Sequence, residues 1–165
     1  MRYRELQELI SNNKNRVICF SGKKTLNSHY LIYKLSKNEN VYLVGKSKKR
    51  YFKRYTVYEE LNELMKNSEE LNKYIFKREL SVSRLNRPLE SLSSEKWRAS
   101  IAIGLITGKN IFVIPYISKQ ILDMYGEKWL DSLFKECCDY QKTIILFSDD
   151  RTINNHKFDN IVIQI

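Results

Sequence analysis

The sequence has little of the residues that break a chain or cross-link it. Only five glycines and two prolines occur among 165 residues, which argues against a fold dominated by loops. The three cysteines are Cys19, Cys137 and Cys138, and their odd number and spacing match neither a zinc site nor a simple disulfide framework. We expect reduced thiols, the usual state in the cytosol.

Long hydrophobic runs are also absent. The longest, such as 111–114, are far shorter than the roughly 20 residues that span a bilayer, and residues 1–16 are too polar for a signal peptide. The apolar share of 42%, with 12% aromatic residues, is nevertheless high enough for a folded core. The sequence therefore predicts a single domain over residues 1–165, located in the cytoplasm.

Acidic residues are outnumbered, with 19 Asp and Glu against 29 Lys and Arg and a net charge of +10. The densest basic stretch, GKSKKRYFKRY at Gly45–Tyr55, has six basic residues, three aromatic residues and no acid. One interpretation is a patch for phosphates, nucleic acid or an anionic membrane face. A solvated lysine-rich loop is an equally good interpretation.

Strand-like and helix-like segments alternate along the chain. Strand-like runs lie at 16–20, 40–45, 110–114, 142–148 and 160–165, and helix-like runs at 28–35, 56–76, 93–108 and 118–140. The continuous apolar run after Asn110 is typical of a strand buried on both faces of a parallel sheet. Ser93 or Ser94 is the predicted N-cap of the third helix, and Gly108 its stop. This order predicts a layered α/β fold.

Several segments carry a family resemblance in the same order over nearly the whole chain. They are NENVYLVGKS at 38–47, YTVYEEL at 55–61, LSSEKWRASIAIGLITG at 92–108 before the strand IFVI, KTIILFSDD at 142–150, and FDNIVIQI at 158–165. They resemble the hairpin after the phosphate loop, the start of the helical subdomain, the signature helix, the switch strand and the terminal strand of the ATP-binding cassette (ABC) transporter ATPases. Together they are similar to a degenerate ABC ATPase domain.

The resemblance implies a P-loop NTPase-like α/β fold with a mainly parallel sheet flanked by helices. The apolar runs at 17–20, 111–114 and 143–147 would be adjacent central strands. The helical subdomain would be reduced, at about residues 56–92.

The resemblance also shows an altered phosphate loop. The family pattern G-x-x-x-x-G-K-[ST] brings backbone N–H groups, a lysine and a Mg²⁺-binding hydroxyl to the phosphates. In one register, Gly22 and Lys23 stand at the Gly-Lys pair, Lys24 takes the Mg²⁺-ligand position, and Thr25 lies nearby. In the ungapped register, which we favour, Gly22 matches the first glycine and Ser28 the lysine. Both registers make this a vestigial nucleotide site.

The other catalytic positions of the family are changed as well. The metal-binding Asp and the catalytic Glu are replaced by Pro115 and Tyr116, and the switch histidine by Asp149. The resemblance therefore implies no catalytic residue, no bound metal and no cofactor, and it leaves ATP binding open.

The signature that approaches the nucleotide across the family's dimer interface also loses its glycines. Ser93, Ser94 and Glu95 stand there, and a carboxylate facing a triphosphate would repel it.

A non-catalytic member of this family would act by binding. The resemblance implies two kinds of partner: an ABC ATPase subunit or a second copy of the chain in a homodimer, and a membrane permease. The chain would then lie at the inner face of the membrane as a peripheral protein. By analogy, the setting would be peptide or antimicrobial export or self-protection. Trp97, Arg98, Tyr55 and Tyr58 are the interface candidates. Alternatively, Trp97 fills the core and Arg98 caps a helix. The alternative function is a basic nucleic-acid-binding module, although no groove-reading motif is present.

Overall fold

The computed structural model describes residues 1–22, 25–50, 53–91, 95–125, 131–132, 134–135, 139–148 and 160–164. They form two compact units: unit 1 is Met1–Leu43 with Lys109–Ile165, and unit 2 is Val44–Gly108. In chain order the elements are α1 Tyr3–Asn12, β1 Val17–Ser21, α2 Leu26–Leu35, β2 Val41–Leu43, β3 Lys49–Arg50, β4 Lys53–Arg54, α3 Val57–Leu64, α4 Ser68–Lys77, α5 Val82–Leu85, α6 Lys96–Ile106, β5 Ile111–Ile117, α7 Lys119–Tyr125, β6 Thr143–Ser148 and β7 Asn160–Gln164.

Unit 1 is a five-stranded parallel sheet flanked by helices, with the strand order β2-β5-β6-β1-β7. Ile145 of β6 lies opposite Ile18 of β1 on one side and Val113 of β5 on the other. The prediction that these three apolar runs are adjacent central strands is therefore confirmed. The physical reason is that their β-branched and aromatic side chains are buried on both faces.

The core of unit 1 is made by the sheet and two helices. Phe20 and Phe147 stack with their ring centroids 4.9 Å apart. Leu6 and Ile10 of α1 and Leu31 and Leu35 of α2 belong to the same buried cluster. The helix predicted over 28–35 is present as α2, and its two tyrosines, Tyr30 and Tyr33, are exposed. Helix α1 was not predicted.

Strand β5 runs past its predicted end at Ile114 and includes Pro115. Proline has no N–H to donate to a ladder, so a strand with neighbours on both sides tolerates it only at an irregularity. The register of β5 against β6 shifts between Ile114 and Ile117, as this rule requires. The shift lies where β5 reaches the carboxyl edge of the sheet.

Unit 2 is built from α3 to α6 and the antiparallel pair β3 and β4. Thr56 and Glu59 form a capping box at α3, and Asn67 caps α4, so the single helix predicted over 56–76 is two helices. The predicted N-cap of α6 was also wrong, because Glu95 occupies that position. Gly108 follows this helix with φ +69°, which confirms the predicted stop.

The hairpin expected at residues 40–45 is another prediction that was wrong. The resemblance placed them in a hairpin, but β2 pairs in parallel with β5, with Val41 opposite Ile111. The antiparallel pair comes later, at Lys49–Arg50 and Lys53–Arg54. Among the described residues, no helix is both long enough and apolar enough to span a membrane.

Candidate functional site

The carboxyl ends of strands β1, β5 and β6 lie at the same edge of the parallel sheet in unit 1. The N–H of Gly22 donates to the carbonyl oxygen of Ser148 at 2.9 Å. The hydroxyl of Ser148 donates to the carbonyl oxygen of Ile117 at 2.9 Å, and the hydroxyl of Tyr116 donates to the carbonyl oxygen of Gly22 at 3.2 Å. Hydrogen bonds within the chain therefore tie Gly22, the first residue of the predicted phosphate loop, to the adjacent strand β6 and to β5 beyond it.

The loop enters α2 through a capping box. Thr25 Oγ1 accepts from the N–H of Ser28 at 3.2 Å, and Ser28 Oγ accepts from the N–H of Thr25 at 3.0 Å. Ser28 Oγ also donates to the carbonyl oxygen of Thr25 at 2.8 Å, and Ser28 is buried. A helix N-terminus binds phosphate through unsatisfied N–H groups. Here the capping box already uses the N–H of Ser28.

The vestigial nucleotide site is only partly described. The helix begins at Leu26, two residues before the run predicted to start at Ser28, because Thr25 serves as its N-cap. Lys23 and Lys24 lie outside the described residues. Of the predicted set, Thr25 and Ser28 contact each other, whereas Gly22 contacts Ser148 and Tyr116.

The end of β5 carries no carboxylate. Pro115 and Tyr116 are half-buried, and the Tyr116 hydroxyl points to the loop carbonyl rather than to a metal ligand. Within the part of the chain that the structure describes, no group of three or more His, Cys, Asp or Glu side chains could hold a metal ion. Asp149 lies outside the described residues.

The signature-like positions lie in unit 2. Ser93 and Ser94 lie outside the described residues. Glu95 precedes α6, and its carboxylate accepts a hydrogen bond from the Ser81 hydroxyl at 2.6 Å. Ser81 is the N-cap of α5, so this bond links the starts of two helices of unit 2.

The interface candidates separate into buried and accessible residues. Trp97 is only 6% exposed, with the Lys96 ammonium 5.0 Å from its ring, so its assignment as an interface anchor was wrong and the core alternative is correct. Arg98 donates to Glu79 at 3.2 Å and is partly exposed. Tyr55 is half-buried under Lys48, whereas Tyr58 is exposed. Tyr58 and Arg98 are the two candidates that a partner could reach.

Two accessible apolar residues were missed by the sequence reasoning. Phe76, in the last turn of α4, is 86% exposed, and Val82, the first residue of α5, is 73% exposed. A signal was available for Phe76. It falls one position after Ile75, off the helical stripe that Leu71 and Ile75 define. Single exposed apolar residues are normal on protein surfaces, so Phe76 and Val82 mark accessible positions of unit 2 and not by themselves a contact patch.

In the part of the basic stretch that the structure describes, three of the six basic residues make ion pairs within unit 2. Lys48 and Lys53 make ion pairs of 2.8 Å with Glu63 and Glu59. Arg54 lies 3.9 Å from Glu90. Glu59 and Glu63 come from α3, which directly follows the stretch, and Glu90 comes from the turn before α6. The pairing lowers the positive field that the composition suggested and favours the interpretation as a solvated loop.

Glu60 of α3 is a buried acid beside the same stretch. Its side chain is almost fully buried, and it accepts the backbone N–H of Lys48 at 2.9 Å. Burial raises the pKa of Glu60 to about 7, and the charge of Glu90 acts in the same direction, whereas the Lys48 N–H opposes the rise. This carboxyl group holds the loop before β3 rather than facing a ligand.

Comparison with known proteins gives one consistent result. No protein-family model matches the chain, and no curated protein matches its sequence. Among solved structures, it is similar to a metal-chelate-type ABC transporter in an inward-facing conformation, with a TM-score of 0.59, 12% identity, and coverage of 84% of this chain and 64% of that one. The chain is also similar to an ABC transporter ATP-binding protein from Pyrococcus furiosus, with a TM-score of 0.58, 15% identity, and coverage of 92% of this chain and 84% of that one.

A dimeric bacterial ABC transporter cassette gives a TM-score of 0.56 and 15% identity, over 92% of this chain and 82% of that one. These identities are too low to carry over an activity, but the similarities extend across both units. The chain has the fold of the ATP-binding domain of ABC transporters.

Proposed function

We propose that the chain is a non-hydrolysing ABC-type subunit, a pseudo-ATPase that acts by binding an active ABC ATPase, a membrane permease or both. By analogy, the setting is peptide or antimicrobial export or self-protection at the cytoplasmic face of the membrane. The fold supports the ABC-type part of this proposal. The non-catalytic part rests on the carboxyl edge of the sheet.

The observation that carries the proposal is the contact of Tyr116 with Gly22. An ATPase of this fold needs a carboxylate at the end of β5 to hold Mg²⁺ and another to polarise water. Here Tyr116 donates to the loop carbonyl at 3.2 Å, and Pro115 precedes it. Among the described residues, the end of β5 therefore carries groups that stabilise the fold and provide neither a metal ligand nor a base.

The same edge argues against a bound nucleotide cofactor. A phosphate at α2 would have to displace Thr25 from the N–H of Ser28. It would find no lysine at the Ser28 position to neutralise its charge. We therefore propose that the chain works without ATP of its own.

Hydrolysis is the first test. Purified protein with ATP and Mg²⁺ is expected to release phosphate at the rate of the buffer alone. Turnover that disappears in a Lys23→Ala plus Lys24→Ala variant, but persists in Lys34→Ala plus Lys37→Ala, would overturn the proposal. The second pair of lysines lies on and after α2 and controls for the loss of two positive charges.

Partner binding is the second test, and it uses accessible residues of unit 2. Phe76→Asp and a Tyr58→Ala plus Arg98→Glu variant remove the exposed groups without opening the core. In pull-downs from the native host, both variants are expected to lose an ABC ATPase or permease that the wild type retains. The control is Tyr33→Asp, an exposed aromatic of unit 1. Recovery of nucleic acid instead, or an unchanged partner set, would contradict the proposal.

A further inference from the structure

A cavity of about 430 Å³ lies in unit 1 at the amino edge of the sheet, where the strands begin. Its walls come from α1, from the turn before β1, from the turn between α2 and β2, and from the first residues of β5 and β6. Small-molecule sites typically have volumes of roughly 300–1,000 Å³. The cavity has the size of a ligand site, and it is distinct from the residues of the carboxyl edge.

The lining of this cavity is rich in carboxamides. Six side chains of this type line it: Gln7, Asn15, Asn38, Asn40, Asn110 and Gln141. None of its described lining residues is acidic, and Lys14 adds one positive charge. Such a lining disfavours cationic ligands and suits a ligand with both donors and acceptors on its edge.

Several of these amides have no hydrogen-bond partner among the described residues. The side chains of Gln7, Asn40 and Gln141 are in this state, whereas Asn38 Oδ1 accepts the N–H of Asn40 at 2.9 Å. Asn110 Oδ1 accepts from Lys142 at 2.9 Å, which leaves its NH₂ group available. The cavity thus presents donors and acceptors that the fold itself does not use.

The backbone that carries these side chains is fixed. Asn15 donates its N–H to the hydroxyl of the buried Thr143 at 2.9 Å, and Thr143 donates its N–H to the carbonyl oxygen of Asn110 at 3.0 Å. Asn110 in turn donates to the carbonyl oxygen of Asn40 at 3.2 Å. Asn15 and Gln141 adopt left-handed φ values of 61° and 54°. Residues with left-handed φ values persist where the surrounding structure holds the backbone in that conformation.

The remaining lining is apolar or aromatic. Ile10 and Leu35 are buried, Ile111 is half-buried, and the ring of Tyr3 lies at the other end of α1 from Lys14. A flat, partly apolar ligand can pack on such surfaces. Carboxamides pair with the two-atom donor and acceptor edge of adenine, and bases stack on tyrosine rings. Sugars offer hydroxyls on all sides and no flat face of comparable area.

We propose that this cavity binds a purine nucleoside monophosphate. The base contacts Tyr3 and the apolar lining, carboxamides such as Gln7 bind the edge of the base, and Lys14 binds the phosphate. This goes beyond the proposed function and does not depend on it. The ligand would act on the subunit from the edge of the sheet opposite to the altered nucleotide site.

Isothermal titration calorimetry with AMP and adenosine tests the assignment. AMP is expected to bind about tenfold more tightly than adenosine, because a charge-assisted contact with Lys14 is added. In Lys14→Ala, the affinity for AMP should fall to that for adenosine, while adenosine binding stays unchanged. Gln7→Leu should weaken both about tenfold. Asn12→Leu, an amide substitution on the same helix outside the cavity, is the matched control.

Other outcomes overturn the proposal. They are no binding of AMP or adenosine, binding of maltose or UMP as tight as that of AMP, or loss of AMP binding in Thr25→Ala rather than Gln7→Leu. The last result would place the nucleotide at the carboxyl edge. If circular dichroism shows that Gln7→Leu is unfolded, NMR decides on the wild type: AMP must shift the side-chain NH₂ signals of Asn40 and Asn110, and unchanged signals contradict the proposal.

Discussion

Within the described residues of unit 1, the buried polar side chains are hydroxyls, whereas those of unit 2 include three charged groups. In unit 1 they are Ser21, Ser28, Thr143 and Ser148, and in unit 2 they are Glu60, Arg78 and Arg84, together with Ser47 and Ser100. A hydroxyl needs one or two hydrogen bonds to offset its burial, but a buried charge costs much more. We infer that the stability of unit 2 depends on pH and on specific ion contacts, and that unit 1 depends mainly on apolar packing.

The largest expected effect tests the apolar packing of unit 1. Phe147→Ala removes a fully buried ring that stacks on Phe20, and we expect a loss of about 4 kcal/mol in the free energy of unfolding. Urea denaturation monitored by far-ultraviolet circular dichroism measures this free energy of unfolding. Tyr33→Ala, at an exposed aromatic, should change the value by less than about 0.5 kcal/mol. Equal effects of the two substitutions would break the comparison.

The second prediction concerns the buried charge of unit 2. Arg84 is 1% exposed and donates to the carbonyl oxygens of Ser91 at 2.9 Å, Arg87 at 3.0 Å and Pro88. Arg84→Met keeps much of the volume but removes the donor of the Ser91 carbonyl group, while the carbonyl groups of Arg87 and Pro88 keep the N–H groups of Val57 and Ser91. We expect a loss of about 3 kcal/mol and faster hydrogen exchange in residues 87–91. Lys77→Met, at an exposed position, is the control.

The pH dependence of unit 2 gives the third prediction. The pKa of Glu60 in the folded chain is about 7, above the ordinary value of 4.5, so the unfolded chain releases this proton first. The contribution of Glu60 to stability is therefore fully present below pH 4.5 and is lost as the pH rises to about 7. Glu60→Gln keeps the Oε1 acceptor for Lys48 and removes the titration. Its stability relative to wild type should rise by about 2 kcal/mol across this range.

A matched control separates burial from net charge. Glu70→Gln removes an exposed carboxylate of α4 and should leave the difference from wild type nearly constant over the same pH range. Hydrogen exchange of peptides from residues 44–64 at pH 5 and pH 8, corrected for intrinsic rates, measures the effect within unit 2. A Glu60→Gln curve parallel to that of wild type would contradict the assignment.

The smallest effect concerns the neutral hydrogen bonds of unit 1. Tyr116→Phe removes the donor to the carbonyl oxygen of Gly22, and we expect a loss of about 1 kcal/mol that does not vary with pH between 5 and 8. Tyr30→Phe, an exposed tyrosine of α2, should be nearly neutral. A Tyr116→Phe variant that gains ATP hydrolysis would instead contradict the proposed function.

The central sheet was predictable because its signal is local. Continuous apolar runs are buried on both faces, and the order of such runs limits the possible sheets to a few. The stop of α6 was predictable for the same reason, since Gly108 adopts a backbone that other residues avoid. The split between α3 and α4 carried a signal in Asn67, but the apolar spacing across it continued and hid the break.

The altered nucleotide site was only partly predictable. The residue types at 22–28 and 115–116 showed what was missing, but not that Tyr116 contacts Gly22 or that Thr25 and Ser28 cap α2. The contact between Tyr116 and Gly22 joins residues 94 positions apart, and no sequence pattern records it. Trp97 illustrates the same limit, because an aromatic residue on a helix can face either the core or a partner.

The sequence by itself determined the apolar strands, most helix positions and the loss of the carboxylates at the end of β5. Only the tertiary structure decided that Lys48, Lys53 and Arg54 pair with acids of α3 and with Glu90, and that the amides of five separate segments line one cavity. The physical reason is the distance along the sequence over which each feature is determined. Backbone conformation and apolar periodicity follow from neighbours within a few residues, whereas the burial of a given side chain, charge pairing and cavities depend on which segments the fold brings together.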